Sequence, residues 1–412
     1  MNVGVIGLGY VGLPLAVAFA EAGHSVVAVD LAPERVARVK RGESYIEDIP
    51  SERLQRVSHR ITADTAYEPL AGTDALIVCV PTPLSENREP DLQPLRAAGW
   101  SLSRILRPGQ LVVLESTTFP GTTRDLLAPI LEKTSGLVAG VDYPLAFSPE
   151  RVDPGRTDYT LRTTPKIVGG LTEACGDAAE ALYAEVCDEL VRVSSPEVAE
   201  LAKLHENIFR SVNIAMVNEM SMLCERMGID IWEVVDAAST KPYGFMRFEP
   251  GPGMGGHCLP VDPFYLSWRA RKFDLTTRFI ELAGEVNQQM PYECANRIVR
   301  ALNDVGKPVR GSIITILGVS YKAGVGDVRE SPALKVIDEL SGMGADIRYS
   351  DPYVPKLPAL GLESQPAEVA VDDCDIAVIL TAHPNIDHAA LLDGAPVVVD
   401  LRGVLPRGVV RA

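Results

Sequence analysis

Two groups of residues in this sequence carry chemistry in their spacing. Gly7-Leu8-Gly9-Tyr10-Val11-Gly12 follows an apolar run and opens a helical pattern, and Asp30 closes the next apolar run. Glycines in that context permit a tight turn, close approach of backbone to a pyrophosphate and close helix packing, while the helix N-terminus faces the phosphates. Asp30 is placed to accept hydrogen bonds from a ribose 2′-hydroxyl. Leu31-Ala32-Pro33 offers no cation for a 2′-phosphate, so NAD is expected rather than NADP. Gly7, Gly9, Tyr10, Val11, Gly12, Asp30 and Arg35 are the expected contacts at this end of the cofactor. A Gly-rich turn without a ligand is the alternative; the strand, helix and acid around this one argue against it.

The second group lies in the middle of the chain. Glu200, Lys203, Asn207 and Arg210 fall at i, i+3, i+7 and i+10, within one narrow face of a 3.6-residue period. A solvated helix face has the same spacing, but Asn213 and Asn218 add polar groups that a simple amphipathic helix does not need. Cys258 follows Gly255-Gly256-His257, where missing Cβ atoms let a substrate approach the backbone and a nearby cation would favour a reactive thiolate. A buried structural thiol is the alternative for Cys258, and His257 is read as a loop residue rather than a base. A nucleophilic cysteine beside NAD has a specific use. Hydride transfer from an alcohol gives an aldehyde, thiolate addition a thiohemiacetal, a second hydride transfer a thioester, and water releases the acid.

The elements that must position these groups are legible as patterns. From Asn2 to about Ser195, short β-branched runs alternate with helical stretches: Val3–Gly7, Val26–Asp30, Ala75–Val80, Leu111–Ser116, Leu145–Ser148, Ile167–Gly169 and Leu190–Val193. That rhythm predicts an α/β fold with a doubly wound parallel sheet. Ser195-Pro196-Glu197 reads as an N-cap, a first-turn Pro and a first-turn acid, opening a long helix to Met227 before Gly228. A Gly/Pro-rich stretch, 248–258, precedes further helical sequence to about Val305, and a second α/β unit starts at Ser312. The organisation expected is residues 1–195, 196–305 and 306–412.

Composition limits the classes of function. The 412 residues are 46% apolar, and 55 acids against 39 bases leave a net charge of -16, with no basic stripe for nucleic acid. No apolar stretch has the length of a membrane span and no signal-peptide layout opens the chain, so a soluble, cytoplasmic protein is expected. The seven scattered cysteines include no CxxC pair; neither a disulfide framework nor a metal site is expected, and most should be buried thiols.

Over nearly the whole chain the ordered motifs resemble the nucleotide-sugar 6-dehydrogenases, the UDP-glucose/GDP-mannose dehydrogenase family. The matching runs are Gly7–Gly12, Val80-Pro81-Thr82-Pro83, Glu115-Ser116-Thr117-Thr118, Ser148-Pro149-Glu150-Arg151, Lys203 with Asn207, Gly255-Gly256-His257-Cys258 and Arg329-Glu330-Ser331-Pro332. The resemblance implies two Rossmann-like doubly wound domains joined by a long central helix that also mediates homodimerisation. It implies Cys258 as nucleophile, Lys203 and Asn207 as oxyanion stabilisers and Asp262 as the residue that positions the water. Thr117 is implied to hold that water near the nicotinamide, and Glu150 to assist thioester hydrolysis. Thr82 and Arg329 are implied cofactor contacts. Glu150, Arg151, Lys203, Asn207, Arg210, Arg247, Gly255, Tyr321, Lys322 and Arg402 are implied to contact the UDP-sugar, with Tyr321 on the uracil.

Gly-Gly-His-Cys followed by Leu259-Pro260-Val261-Asp262-Pro263 resembles the branch acting on UDP-N-acetylhexosamines, most closely its UDP-N-acetylglucosamine members. Three departures bear on specificity: Val152 in place of Glu, Arg247 in place of Pro, and Ala323-Gly324-Val325-Gly326 in place of a more polar run. UDP-N-acetylmannosamine or UDP-glucose are the alternative substrates. Outside this chemistry stand a two-electron hydroxyacid dehydrogenase, which needs neither Cys258 nor a second α/β unit, and a non-catalytic binding regulator, against which the intact Lys203, Asn207, Cys258 and Asp262 argue.

Overall fold

Strand β1 (Asn2–Ile6) alternates its side chains between two faces, and both faces are buried. The same holds across its neighbours. Val3, Val5, Ala75, Ile77, Leu111 and Val113 belong to one apolar cluster; Ile6, Leu76, Val78, Val112 and Leu114 belong to another on the opposite face. A sheet covered on both faces is what near-continuous apolar strands require.

The computed structural model describes residues 1–85, 89–153, 158–256, 261–384, 386–391 and 395–406. The expected Cys258 and His257 lie outside the described residues. Contacts divide the chain into two compact units, Met1–Glu206 with Phe264–Leu275, and Asn207–Pro263 with Thr276–Ala412.

In the first unit β1 is followed by β2 (Ser25–Val29), β3 (Ile61–Asp64), β4 (Ala75–Val78), β5 (Leu111–Leu114), β6 (Leu145–Phe147), β7 (Lys166–Gly170) and β8 (Leu190–Val193). They form one sheet of order β3-β2-β1-β4-β5-β6-β7-β8. The chain order reverses between β1 and β4, the position where open α/β sheets leave a ligand crevice at their C-terminal ends. Two features depart from the expected pattern. Strand β3 is an additional edge strand, and β7 runs antiparallel to β6, with Ala146 opposite Gly170 and Phe147 opposite Gly169.

The second unit holds a parallel sheet of β9 (Ile313–Leu317), β10 (Asp346–Ser350), β13 (Ile376–Ile379) and β14 (Val398–Asp400), in the order β10-β9-β13-β14. A short hairpin, β11 (Lys356–Leu357) with β12 (Leu362–Glu363), lies outside that sheet. The helix Pro196–Met227 runs 32 residues. It starts with the Ser195 hydroxyl near the Val198 N–H at 3.4 Å, and stops at Gly228, whose φ of 69° lets Ile229 N–H return to the Cys224 carbonyl at 2.9 Å. A second long helix, Arg278–Asp304, carries Pro291 in its interior. Among the described residues, no helix is long and apolar enough to cross a membrane, and the six described cysteines are free and buried.

Candidate active site

The turn after β1 gives each of its glycines a separate reason. Gly7 has φ of 92°, and a Cβ there would meet the Cys79 carbonyl oxygen at 2.5 Å. A Cβ on Gly12 would overlap the Gly7 carbonyl oxygen, so the helix Gly12–Glu21 packs down on the turn only with glycine. At Gly9 a Cβ would meet nothing within 4 Å, so the glycine is not demanded by the protein's own packing. No side chain caps this helix at Val11. An open glycine before an uncapped helix N-terminus fits a dinucleotide pyrophosphate. Tyr10 and Val11 are half-buried at the same turn.

Asp30 is anchored beside it. Its Oδ2 accepts from Leu8 N–H at 2.8 Å and from Arg35 at 3.3 Å, and its Oδ1 accepts from Ala32 N–H at 2.8 Å. Arg35 therefore lies against the carboxylate expected to take the ribose. The Tyr45 hydroxyl donates to the Leu8 carbonyl at 2.6 Å, and burial followed by the Asp30 charge pushes its pKa to about 12.

Past β4 and β5 the chain places Thr82 against Thr117, the Thr82 hydroxyl donating to the Thr117 carbonyl at 2.8 Å. The Tyr265 hydroxyl donates to the Thr82 carbonyl at 2.5 Å. Glu150 follows β6, and its Oε1 accepts from the Arg151 and Val152 N–H groups at 2.7 and 2.6 Å. Arg151 reaches Glu206 at 2.7 Å and the Pro165 carbonyl at 2.6 Å. On the long helix, Lys203 is only 9% exposed and has no carboxylate partner among the described residues. One turn earlier, buried Glu200 accepts from Gly121 N–H at 2.6 Å, Thr123 N–H at 2.8 Å and the Thr123 hydroxyl at 2.7 Å. Burial lifts the Glu200 pKa to about 7 against those three bonds.

In the second unit Asn207 is buried and donates to the Asp262 carboxylate, which opens the helix Asp262–Ala270. Arg210 donates to the Asn207 carbonyl oxygen at 3.3 Å. The expected substrate contacts divide by environment. Tyr321 packs on Gly255 and Gly256: a Cβ on Gly255 would meet Tyr321 Cβ at 2.6 Å, and one on Gly256, where φ is 84°, would meet the ring at 2.9 Å. These glycines are thus required by Tyr321, a packing reason the sequence reading did not contain. Arg402 lies against Gly251, with its backbone N–H on Asp400 at 2.9 Å, and burial pulls its pKa down. Lys322 is half-buried in the loop after β9, where its carbonyl accepts from the Ser320 hydroxyl at 2.8 Å. Arg247 is exposed and paired with Asp236 at 2.7 Å and Glu249 at 3.0 Å. Arg329, also exposed, forks onto Asp327 at 2.8 and 2.6 Å.

Sequence reasoning missed Lys166, Tyr183 and Tyr265, and gave Glu115 no role. The available signal was a single lysine opening an otherwise apolar strand, Lys166-Ile167-Val168-Gly169-Gly170, in which every residue is buried. A lone charge in such a run needs a buried partner; here it is Glu115 at 3.1 Å.

Comparison with known proteins assigns the parts. Residues 1–187 match the NAD binding domain of the UDP-glucose/GDP-mannose dehydrogenase family, residues 197–289 its central domain and residues 315–407 its UDP binding domain. A UDP-N-acetyl-D-mannosamine dehydrogenase of Pyrococcus horikoshii is 36% identical over 97% of this chain and 96% of its own length. A UDP-N-acetyl-D-glucosamine 6-dehydrogenase of Pseudomonas aeruginosa is 34% identical over 86% of this chain and 83% of its own. The solved structure of the UDP-D-ManNAc dehydrogenase from Pyrococcus horikoshii superposes with a TM-score of 0.91 at 34% identity, covering 100% of this chain and 97% of that one. With three ordered domain matches on a fold whose first crevice fits a dinucleotide, the chain belongs to the UDP-glucose/GDP-mannose dehydrogenase family and is an NAD-dependent nucleotide-sugar dehydrogenase.

Proposed function

We propose that this chain oxidises the C6 hydroxymethyl of a UDP-N-acetylhexosamine to the uronic acid, taking UDP-N-acetylglucosamine first and forming two NADH per sugar. The observation that carries the reading is Lys203, a buried ammonium with no carboxylate partner among the described residues. A buried cation without a counter-charge is costly unless negative charge arrives beside it, and an oxyanion developing at C6 is such a charge. Asn207, one helical turn on, is oriented by Asp262 to serve the same oxygen.

NAD, when bound along Gly7–Gly12 and Asp30, supplies the hydride acceptor for both oxidations. Cys258 adds to the aldehyde carbon and later leaves as thiolate, Asp262 positions the water for proton removal, Thr117 holds it, and Glu150 assists hydrolysis of the thioester. Arg151, Arg210, Arg247, Gly255, Tyr321, Lys322 and Arg402 contact the UDP-sugar, and Arg329 and Thr82 the cofactor. Residues 1–195 hold NAD, 196–305 carry the chemistry and a homodimer contact, and 306–412 hold the UDP-sugar. The product, a uronic acid nucleotide sugar made in the cytoplasm, suits polysaccharide biosynthesis.

UDP-N-acetylmannosamine is the second reading, favoured by the Pyrococcus horikoshii relative named for it at 36% identity. The test incubates the protein with NAD and each UDP-sugar and counts NADH per sugar consumed. Two NADH with UDP-N-acetylglucosamine is the expected result; one NADH with free aldehyde accumulating would sink the four-electron reading.

A further inference from the structure

Three buried groups that none of the steps above uses meet past the C-terminal ends of β5 and β6. Glu115 follows β5 at 1% exposure, Lys166 opens β7 at 3%, and the two pair at 3.1 Å. The Tyr183 hydroxyl donates to the same Glu115 oxygen, and the Lys166 ammonium lies 4.8 Å from the centre of the Tyr183 ring. Apolar residues of similar volume often replace a buried ion pair without loss of stability, so stability alone does not account for one.

The chain connections of this pair are specific. Glu115 lies two residues before Thr117. Lys166 donates to the Pro149 carbonyl at 3.3 Å, immediately before Glu150. Two further bonds fasten the same segments: the Ser148 hydroxyl to the Ile167 carbonyl at 2.8 Å and Arg151 to the Pro165 carbonyl at 2.6 Å. The antiparallel direction of β7 makes this possible, because a strand running against β6 begins where β6 ends. Burial works to lower the Lys166 pKa, but the charges of Glu115 and Glu150 outweigh it and hold the ammonium protonated.

We propose that the Glu115–Lys166 pair is a positioning device that sets the place of Glu150 for the hydrolytic half of the reaction. It rests on the assignment of Glu150 to thioester hydrolysis made above. In that half, water adds its oxygen to the thioester carbon and gives a proton to the Glu150 carboxylate. The C–S bond then breaks, Cys258 leaves as thiolate, and no oxidant is consumed. A misplaced Glu150 therefore slows hydrolysis while leaving both oxidations intact.

The experiment uses the full-length protein with NAD and UDP-N-acetylglucosamine, in rapid mixing, for the unsubstituted protein and for Glu115→Gln/Lys166→Met. The variant should release a burst of two NADH per active site and then turn over about 10- to 100-fold more slowly, with a sugar adduct on Cys258 visible by mass spectrometry after acid quench. Unsubstituted turnover in the variant, or equal slowing of burst and steady state without adduct, would overturn the proposal. One NADH per sugar from the unsubstituted protein would overturn the underlying reading and this proposal together. If the double variant does not fold, Glu115→Gln alone removes the pair's negative charge at constant volume, and the same outcomes decide.

Discussion

At the residue scale, the groups with the largest consequence are charges placed where water is scarce. Glu200 is one: burial raises its pKa from 4.5 to about 7 even though Thr123 and Gly121 donate to it. A carboxyl whose pKa is higher folded than unfolded holds its proton more tightly when folded. Its stabilising contribution is therefore complete below about pH 4.5 and is lost as pH rises through about 7. Glu200→Gln, neutral throughout, lacks that slope. Urea unfolding of both proteins from pH 5 to pH 8 should show the unsubstituted protein losing up to about 3 kcal/mol relative to the variant, whereas a constant offset would show that Glu200 does not titrate there. How much of the site was legible varies in the same terms. Gly7, Gly12 and Asp30 were readable because they come together locally: Asp30 accepts from the Leu8 N–H within the turn after β1, and two of that turn's glycines have a packing cause. Glu115 and Lys166 were not, since they stand 51 positions apart and only the direction of β7 brings them together.

At the scale of elements, local signals located the long helices and the central strands, and failed where direction or an edge decided. Ser195-Pro196-Glu197 and Gly228 mark the ends of the helix Pro196–Met227 to the residue. Strand β3 is four residues with a single large apolar side chain, Ile61, so no alternation announces it, and the period of β7 is the same whichever way it runs. The two asparagines that did not suit a simple amphipathic helix find different uses. Asn213 bonds its own helix at the Phe209 carbonyl, at 2.7 Å. Asn218, fully buried, donates to Asn287 at 3.1 Å and accepts from Gly251 N–H at 2.9 Å, while Asn287 donates to the Ser211 carbonyl at 3.0 Å. These amides join both long helices to the glycine-rich stretch. Asn218→Ala would leave the half-buried Gly251 N–H and the buried Asn287 carbonyl oxygen without those partners, at a cost of about 1–3 kcal/mol. Urea denaturation measures it; a loss under about 0.5 kcal/mol would mean that water replaces the amide freely.

At the scale of the whole molecule, the same device appears in both units. In the first, Gly7 abuts the carbonyl after β4 and Asp30 accepts from the Leu8 N–H. In the second, Gly318 abuts the Thr381 carbonyl after β13 and Asp351 accepts from the Val319 N–H at 2.8 Å. Each half thus builds a crevice where its strand order reverses. The helix Pro196–Met227 carries an exposed apolar stripe along its second-unit part. Phe209, Met216, Met220, Leu223 and Met227 are 44, 56, 41, 50 and 61% exposed, and their spacing of seven, four, three and four places them on one helical face. An apolar stripe of that kind marks an interaction surface, here proposed to be a second copy of the chain. Two copies with a net charge of -16 each repel, so an association driven by this stripe should tighten as salt screens the repulsion, the reverse of an ion-paired interface. Analytical ultracentrifugation should therefore find a dimer that persists at high salt. Met216→Glu with Leu223→Glu should give a monomer of unchanged circular dichroism, because both side chains already face outward. A variant that sediments as a dimer would remove the stripe from the interface, and an unsubstituted protein that sediments as a monomer at every salt concentration would remove the dimer.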